Sequence, residues 1–256
     1  MEEKQVENTH TLRLRKENDW YSSPRFCKSH FLNKGIFRSD KRNEQSYIMA
    51  KNELFCRIPF INAKKILLAP CGSFADLPWV QERWPDATVY GTDVSWEAIH
   101  QAPRPHPAAV SDIRDCIPFS QQYFDIAIST LFFHHVADEG FLPYLRELRR
   151  VLRPAGLLVT MEPSWLHPLF WITRPLKKLI GNITGQVEHE HPIFIWQLQR
   201  VAREAGFSRV TSFACSFSHN RLPTSIGRLL NGVLHPLFGT VGIKHMGWLV
   251  GMVAQV

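Results

Sequence analysis

At 256 residues, 45% hydrophobic and 21% charged, the chain can bury a sizeable core and has the composition of an ordinary globular protein. Its five cysteines (Cys27, Cys56, Cys71, Cys116, Cys215) are odd in number, widely spaced and without a CxxC pair, which argues against a disulfide framework or a structural metal site. The formal charge of +7 comes from scattered basic residues, as on solvated faces, so nucleic acid is not an expected partner.

The chain begins MEEKQVENTHTLRLRKEND, which is charged and has no apolar centre. It reads as a polar tail and not as a secretory signal. No run approaches the roughly 18 apolar residues of a membrane span, so the expected location is cytoplasmic. Residues 1–60 read as this tail plus a helical extension, with a helix over 44–58.

From residue 61 to 256 the pattern predicts one domain of alternating strands and helices. Residues 66–69 are a short apolar run suited to a buried parallel strand, and 77–84 suit a helix. A second strand over 88–93 and a helix over 95–101 follow, then a brief third strand at 108–111 and a fourth at 124–129. Residues 141–152 carry apolar side chains at helical spacing and end in Arg149, Arg150 and Arg153, which favour a helix C-terminus. Pro154-Ala155-Gly156 reads as a turn into a fifth strand at 157–161. A helix over 193–205, a strand over 209–217 and a closing strand over 248–254 complete the pattern. The expected fold class is α/β: a Rossmann-like, seven-stranded, mostly parallel sheet with an antiparallel closing strand and helices on both faces.

In an open parallel sheet, ligands sit beyond the carboxyl ends of the strands. The suggestive residues all fall there. Pro70, Cys71, Gly72 and Ser73 follow the first strand. Asp93 and Val94 end the second, at the roughly 20-residue distance from Gly72 where an acidic residue meets ribose hydroxyls. Asp112 and Ile113 follow the third strand, and Ser129 and Thr130 end the fourth. His134 and His135 come next and invite a general-base or metal reading. His189-Glu190-His191 lacks further spaced ligands, so no metal is expected. Glu162 ends the fifth strand and reads either as a cap or as a substrate-orienting group.

With these residues in order, the sequence resembles the class I S-adenosylmethionine-dependent methyltransferases, in particular the small-molecule, type 11-like group. The resemblance rests on Pro70-Cys71-Gly72-Ser73, Tyr90-Gly91-Thr92-Asp93-Val94-Ser95, Ser111-Asp112-Ile113, Phe124-Asp125-Ile126 and His134-His135-Val136. The run from Leu145 to Gly156 and Ala205-Gly206-Phe207 extend it, over about 64–215. It implies S-adenosylmethionine as cofactor. The Cys71–Phe74 loop would pass under the methionine portion, Asp93 would bind the ribose, and Val94, Asp112 and Ile113 would surround the adenine. Ser129 and Thr130 would line the reaction centre, with His134 or His135 approaching substrate.

The first loop departs from the family pattern. Leu68 stands at the usual acidic position, and Pro70 and Phe74 stand at glycine positions, where a backbone free of Cβ approaches the ligand. Two readings stay open: an active methyltransferase on a hydrophobic small-molecule acceptor, or a degenerate non-catalytic module. Two apolar inserts, 163–191 and 218–246, leave the ligand edge of the expected sheet. They fit a greasy lid over the acceptor, a homodimer interface or a peripheral membrane contact.

Overall fold

The computed structural model describes residues 40–101, 106–171, 191–220 and 222–256. Helix α1 (Asp40–Arg57) precedes strands β1 (Lys65–Leu68), β2 (Thr88–Asp93), β3 (Ala108–Val110) and β4 (Phe124–Thr130). Strands β5 (Leu152–Pro163), β6 (Arg209–Ser216) and β7 (Leu249–Gln255) follow. The connecting helices are α2 (Leu77–Arg83), α3 (Trp96–His100), α4 (Leu142–Val151), α5 (Ile195–Glu204) and α6 (Thr224–Phe238).

The strands form one sheet in the order β3-β2-β1-β4-β5-β7-β6. Strand β7 runs antiparallel to β5 and β6, and the other pairings are parallel. This is the expected Rossmann-like sheet with its antiparallel closing strand. The connections turn opposite ways on the two sides of β1 and β4. That makes the crevice at their carboxyl ends the switch point where an open α/β sheet takes its ligand.

Burial on both faces explains why the strands read as apolar runs. In β1, Leu67 points into one core cluster while Ile66 and Leu68 point into the other. Helix α4 covers the first face with Tyr144, Leu145, Leu148 and Val151, one stripe at helical spacing. Helix α1 covers the second face through Ala50, Leu54 and Phe55. At the opposite end from the crevice, Asp125 Oδ2 accepts from the Lys64 and Lys65 amides at 2.8 Å each, and Arg153 lies 2.8 Å from Oδ1. This carboxylate fixes the start of β1 against β4.

Strand β5 is longer than expected, because the anticipated turn at 154–156 is taken into the sheet as an irregularity. Ala155 adopts φ +63°, and its amide donates to the Val256 carbonyl, with the Val256 amide returning a bond to Gly156. The last strand therefore holds this segment flat.

The second insert differs from the lid expectation, and most of the first lies outside the described residues. Of the first, 163–171 and residue 191 are described. The sequon at Asn182, the basic Arg174, Lys177 and Lys178, and His189 and Glu190 lie outside the described residues. The second insert forms α6 and a 3-10 turn (Gly242–Met246). Helix α6 starts at the ligand edge, where a Cβ on Gly227 would meet Ser218 and Met49, and ends lower, where the Gly239 carbonyl accepts from Ala214. It thus runs alongside α1 and not across the crevice. Ile226, Leu229, Val233 and Leu237 face outward from it and are exposed.

Candidate functional site

The first loop is folded around Asp93. The Gly72 amide donates to Asp93 Oδ2 at 2.8 Å and the Ser95 amide to Oδ1 at 2.9 Å, while the Cys71 amide donates to the Thr92 carbonyl at 2.8 Å. Gly72 takes φ +47°, which glycine adopts without a Cβ penalty. Asp93 is therefore a staple between the ends of β1 and β2 as well as the expected ribose ligand. A carboxylate offers about four acceptor positions, so binding two amides is compatible with meeting a ligand's hydroxyls.

Phe74 occupies a position where the family pattern has glycine, yet its ring leaves the loop. It is buried, stacks on His106 with centroids 5.0 Å apart, and lies where a side chain on Gly91 would be, 2.4 Å from that residue's ideal Cβ. Gly91 sits two residues below the end of β2, so the ring fills the core under the site. Phe74 holds φ +60°, a conformation costing a non-glycine residue about 1 kcal/mol. Replacing Phe74 by Gly should relieve that strain but empty a core position. The expected net loss is about 2 to 3 kcal/mol, read as a lower midpoint in chemical denaturation. Affinity for the cofactor should stay within a few-fold, and a large gain would show that the ring obstructs the pocket.

Cys71 is buried, and that burial, reinforced by the Asp93 carboxylate, pushes its thiol well above the usual range. It is a packed thiol and not a nucleophile. Pro70 joins Ala69 through a cis peptide beside it. Val94 is half-buried beyond β2, and Ser73 is half-buried in the loop. Asp112 makes a local turn, with Oδ1 accepting from the Arg114 amide at 2.8 Å, while Ile113 packs into the core under α4.

The two residues ending β4 separate. Ser129 is fully buried, and its Oγ has no hydrogen-bond partner among the described residues, so it lies beneath the crevice and does not line it as expected. Thr130 is half-buried at the lip, and its Oγ1 donates to Asp76 Oδ2 at 2.5 Å. Asp76 occupies the N-cap position of α2 but makes no capping bond. Its Oδ1 instead lies 2.8 Å from Lys51 Nζ, whose ammonium also donates to the Ala75 carbonyl at 3.2 Å. Neither Lys51 nor Asp76 was legible as a site residue.

The histidines also separate. His134 is buried, and its Nδ1 lies 2.7 Å from Glu162 Oε2. Glu162, 1% exposed, further accepts from the amides of Phe132 and Phe133 at 3.0 Å, of His134 at 3.3 Å, and from Thr160 Oγ1 at 3.1 Å. A carboxylate only accepts, so His134 carries its proton on Nδ1, and Nε2 is the basic nitrogen of the neutral ring. The His135 ring lies tilted against it, centroids 4.2 Å apart.

Beyond β5 and before β7 stands an aromatic wall. His167, Phe170, His219 and Trp248 are in ring contact, and Tyr47 of α1 meets Trp248 at 5.1 Å. Trp165 stacks on Trp171, which is 64% exposed.

S-adenosylmethionine, the cofactor implied by the sequence, fits this edge. Carboxylates at the ends of β2 and β3 suit a nucleoside, and a lysine–aspartate pair at the switch point suits an amino-acid end.

Comparison with known proteins agrees. Residues 68–160 match the family model of a methyltransferase domain. A malonyl-[acyl-carrier protein] O-methyltransferase of Herminiimonas arsenicoxydans is 32% identical over 114 residues, 44% of this chain and 43% of that protein. A trans-aconitate 2-methyltransferase of Azoarcus sp. is 30% identical over 117 residues, 44% of this chain and 45% of that protein. The chain thus spans less than half the length of these curated relatives. Among solved structures, a SAM-dependent methyltransferase of Thermotoga maritima superposes with a TM-score of 0.66 at 15% identity, covering 92% of this chain and 97% of the other.

Proposed function

We propose that this chain, a member of the class I S-adenosylmethionine-dependent methyltransferases, methylates a hydrophobic small-molecule acceptor. When bound, the cofactor supplies a methyl group already activated on a sulfonium, so orientation and exclusion of water supply much of the catalysis. The chain's own part is to hold the donor and the acceptor. Asp93, fixed by the Gly72 and Ser95 amides, receives the ribose hydroxyls. The wall of Trp165, Phe170, Trp171 and Trp248 supports the acceptor reading, since a rigid apolar surface beside the crevice offers burial and few hydrogen bonds.

The single observation carrying this reading is the Asp93-stapled loop at the switch point of the sheet. Calorimetry with S-adenosylhomocysteine tests it. Asp93→Asn should weaken binding by roughly ten- to a hundredfold, the loss of charge-assisted hydrogen bonds to a diol. An unchanged dissociation constant would remove Asp93 from the site. For the acceptor, tritiated S-adenosylmethionine should label apolar small molecules, and Trp171→Ala should raise KM with cofactor affinity held within a few-fold. Labelling of folded RNA or protein alone would overturn the acceptor class.

His134 is the proton acceptor where the substrate must lose a proton on methylation. Its Nδ1–H bond to Glu162 fixes the tautomer and leaves Nε2 as the basic nitrogen. His134→Gln should then lower kcat about a hundredfold or more for such acceptors, with KM nearly unchanged. Equal turnover at neutral pH would leave His134 a turn-stabilising residue only.

A further inference from the structure

We infer that Lys51, Asp76 and Thr130 form the seat for the amino-acid end of the cofactor, an inference that rests on the cofactor reading above. The acid that the loop lacks at Leu68 is supplied from the far side of the turn. Asp76 follows β1 and Thr130 ends β4, so their hydrogen bond spans the switch-point crevice. With the ribose at Asp93 on β2, the tail can extend toward β3 or across β1 to β4. Two strand spacings, about 10 Å, separate β2 from β4. That is the reach of the 5′ carbon, the sulfur and the chain leading to the α-carbon of the amino acid.

The chemistry at that distance is complementary to a zwitterion. Lys51 is 7% exposed, and among the described residues its ammonium meets two oxygens, Ala75 O at 3.2 Å and Asp76 Oδ1 at 2.8 Å, with the Trp79 ring 4.9 Å away, so one of its three protons has no oxygen acceptor there. Asp76 takes one bond from Thr130 on Oδ2 and faces Lys51 with Oδ1. A ligand's ammonium would meet Asp76, and its carboxylate the remaining proton of Lys51. Burial of an ion pair by itself adds little stability, because desolvation offsets the attraction. The pair also ties α1 to the loop, which makes helix α1 part of the binding site.

The experiment titrates the chain with S-adenosylhomocysteine and with 5′-methylthioadenosine, which has the same nucleoside and sulfur but no amino acid. Lys51→Met and Asp76→Asn should weaken S-adenosylhomocysteine about tenfold or more while methylthioadenosine stays within about twofold. Lys51→Arg should recover part of the loss. Because a lone buried charge can unfold a variant, the double change Lys51→Met with Asp76→Leu removes both charges together. It should fold, and it should bind the two ligands alike. A parallel loss for both ligands, or none for S-adenosylhomocysteine, would overturn the seat while leaving the cofactor reading intact. Failure of the unaltered protein to bind either ligand would overturn both.

Discussion

Glu162→Ala should cost about 3–5 kcal/mol and lower the melting temperature by roughly 10 °C. The carboxylate is almost completely buried and accepts five hydrogen bonds, three of them from consecutive backbone amides at 132–134. Those amides curl around it because Leu131, at φ +55°, reverses the chain after β4. Removing the acceptor leaves three buried N–H donors, and each unpaired donor costs about 1–3 kcal/mol unless water enters. Glu162→Gln separates this structural role from orientation of the histidine. Its amide oxygen can still serve the Phe132 and Phe133 amides and Thr160, while the His134 amide on the other side loses its acceptor, so the loss of stability should be about 1–3 kcal/mol. Its NH₂ would then face His134 Nδ1, which must become the acceptor, and the ring proton moves to Nε2. Nitrogen NMR of the imidazole reads that tautomer directly. A Glu162→Ala variant melting within a degree of the parent would show that the turn does not depend on this carboxylate. A Glu162→Gln variant keeping the Nδ1–H tautomer would show that Glu162 does not set the histidine.

The sheet was legible because its strands are buried on both faces and their ends carry the polar residues. Ile66–Leu68 and Phe124–Ile128 could hardly be anything else, and Asp93 and Gly72 stood at a spacing with a physical meaning. Phe74 was legible only as a departure. Its explanation is Gly91, an ordinary-looking glycine in the next strand: the space the loop's missing glycine would have given is found under β2 instead. No local pattern links the two positions, because only the parallel pairing of β1 and β2 brings them together. Lys51 was hidden for a different reason. A lysine within a polar helix reads as a solvated face, and only the packing of α1 on α2 buries it beside Asp76. Asp76 stands at the N-cap position of α2 without the capping bond, because its carboxylate turns to Lys51 and Thr130 instead. The lid expectation for the second insert failed because apolar composition says that a face will seek cover but not which direction the helix runs.

Acid should destabilise the fold through His167, one member of the aromatic wall. The ring is 5% exposed, its Nε2 donates to the Phe217 carbonyl at 3.4 Å, and burial lowers its pKa from the ordinary 6.5 to about 4. The ring is therefore neutral in the fold at any pH above about 4, and it faces the rings of Phe170 and His219. The sign follows from which state binds the proton. Above pH 6.5 neither state does, and His167 adds no pH dependence. Between 6.5 and 4 the unfolded chain takes up a proton that the folded chain refuses, so stability falls as pH falls. Below 4 both states are protonated and the loss levels off at about 3 kcal/mol. Burial lowers His235 and His245 in the same direction, and acidic side chains titrate toward the bottom of the window, so the parent curve is a composite. The difference from a His167→Gln variant isolates one group, since glutamine keeps an N–H for the Phe217 carbonyl and has no charge to gain. Denaturant titrations at pH 7, 5.5 and 4.5 should show the parent losing about 2–3 kcal/mol more than the variant across that range. Parallel curves would mean that the folded ring takes its proton as readily as the unfolded one, and that the wall beside the crevice is wet at His167.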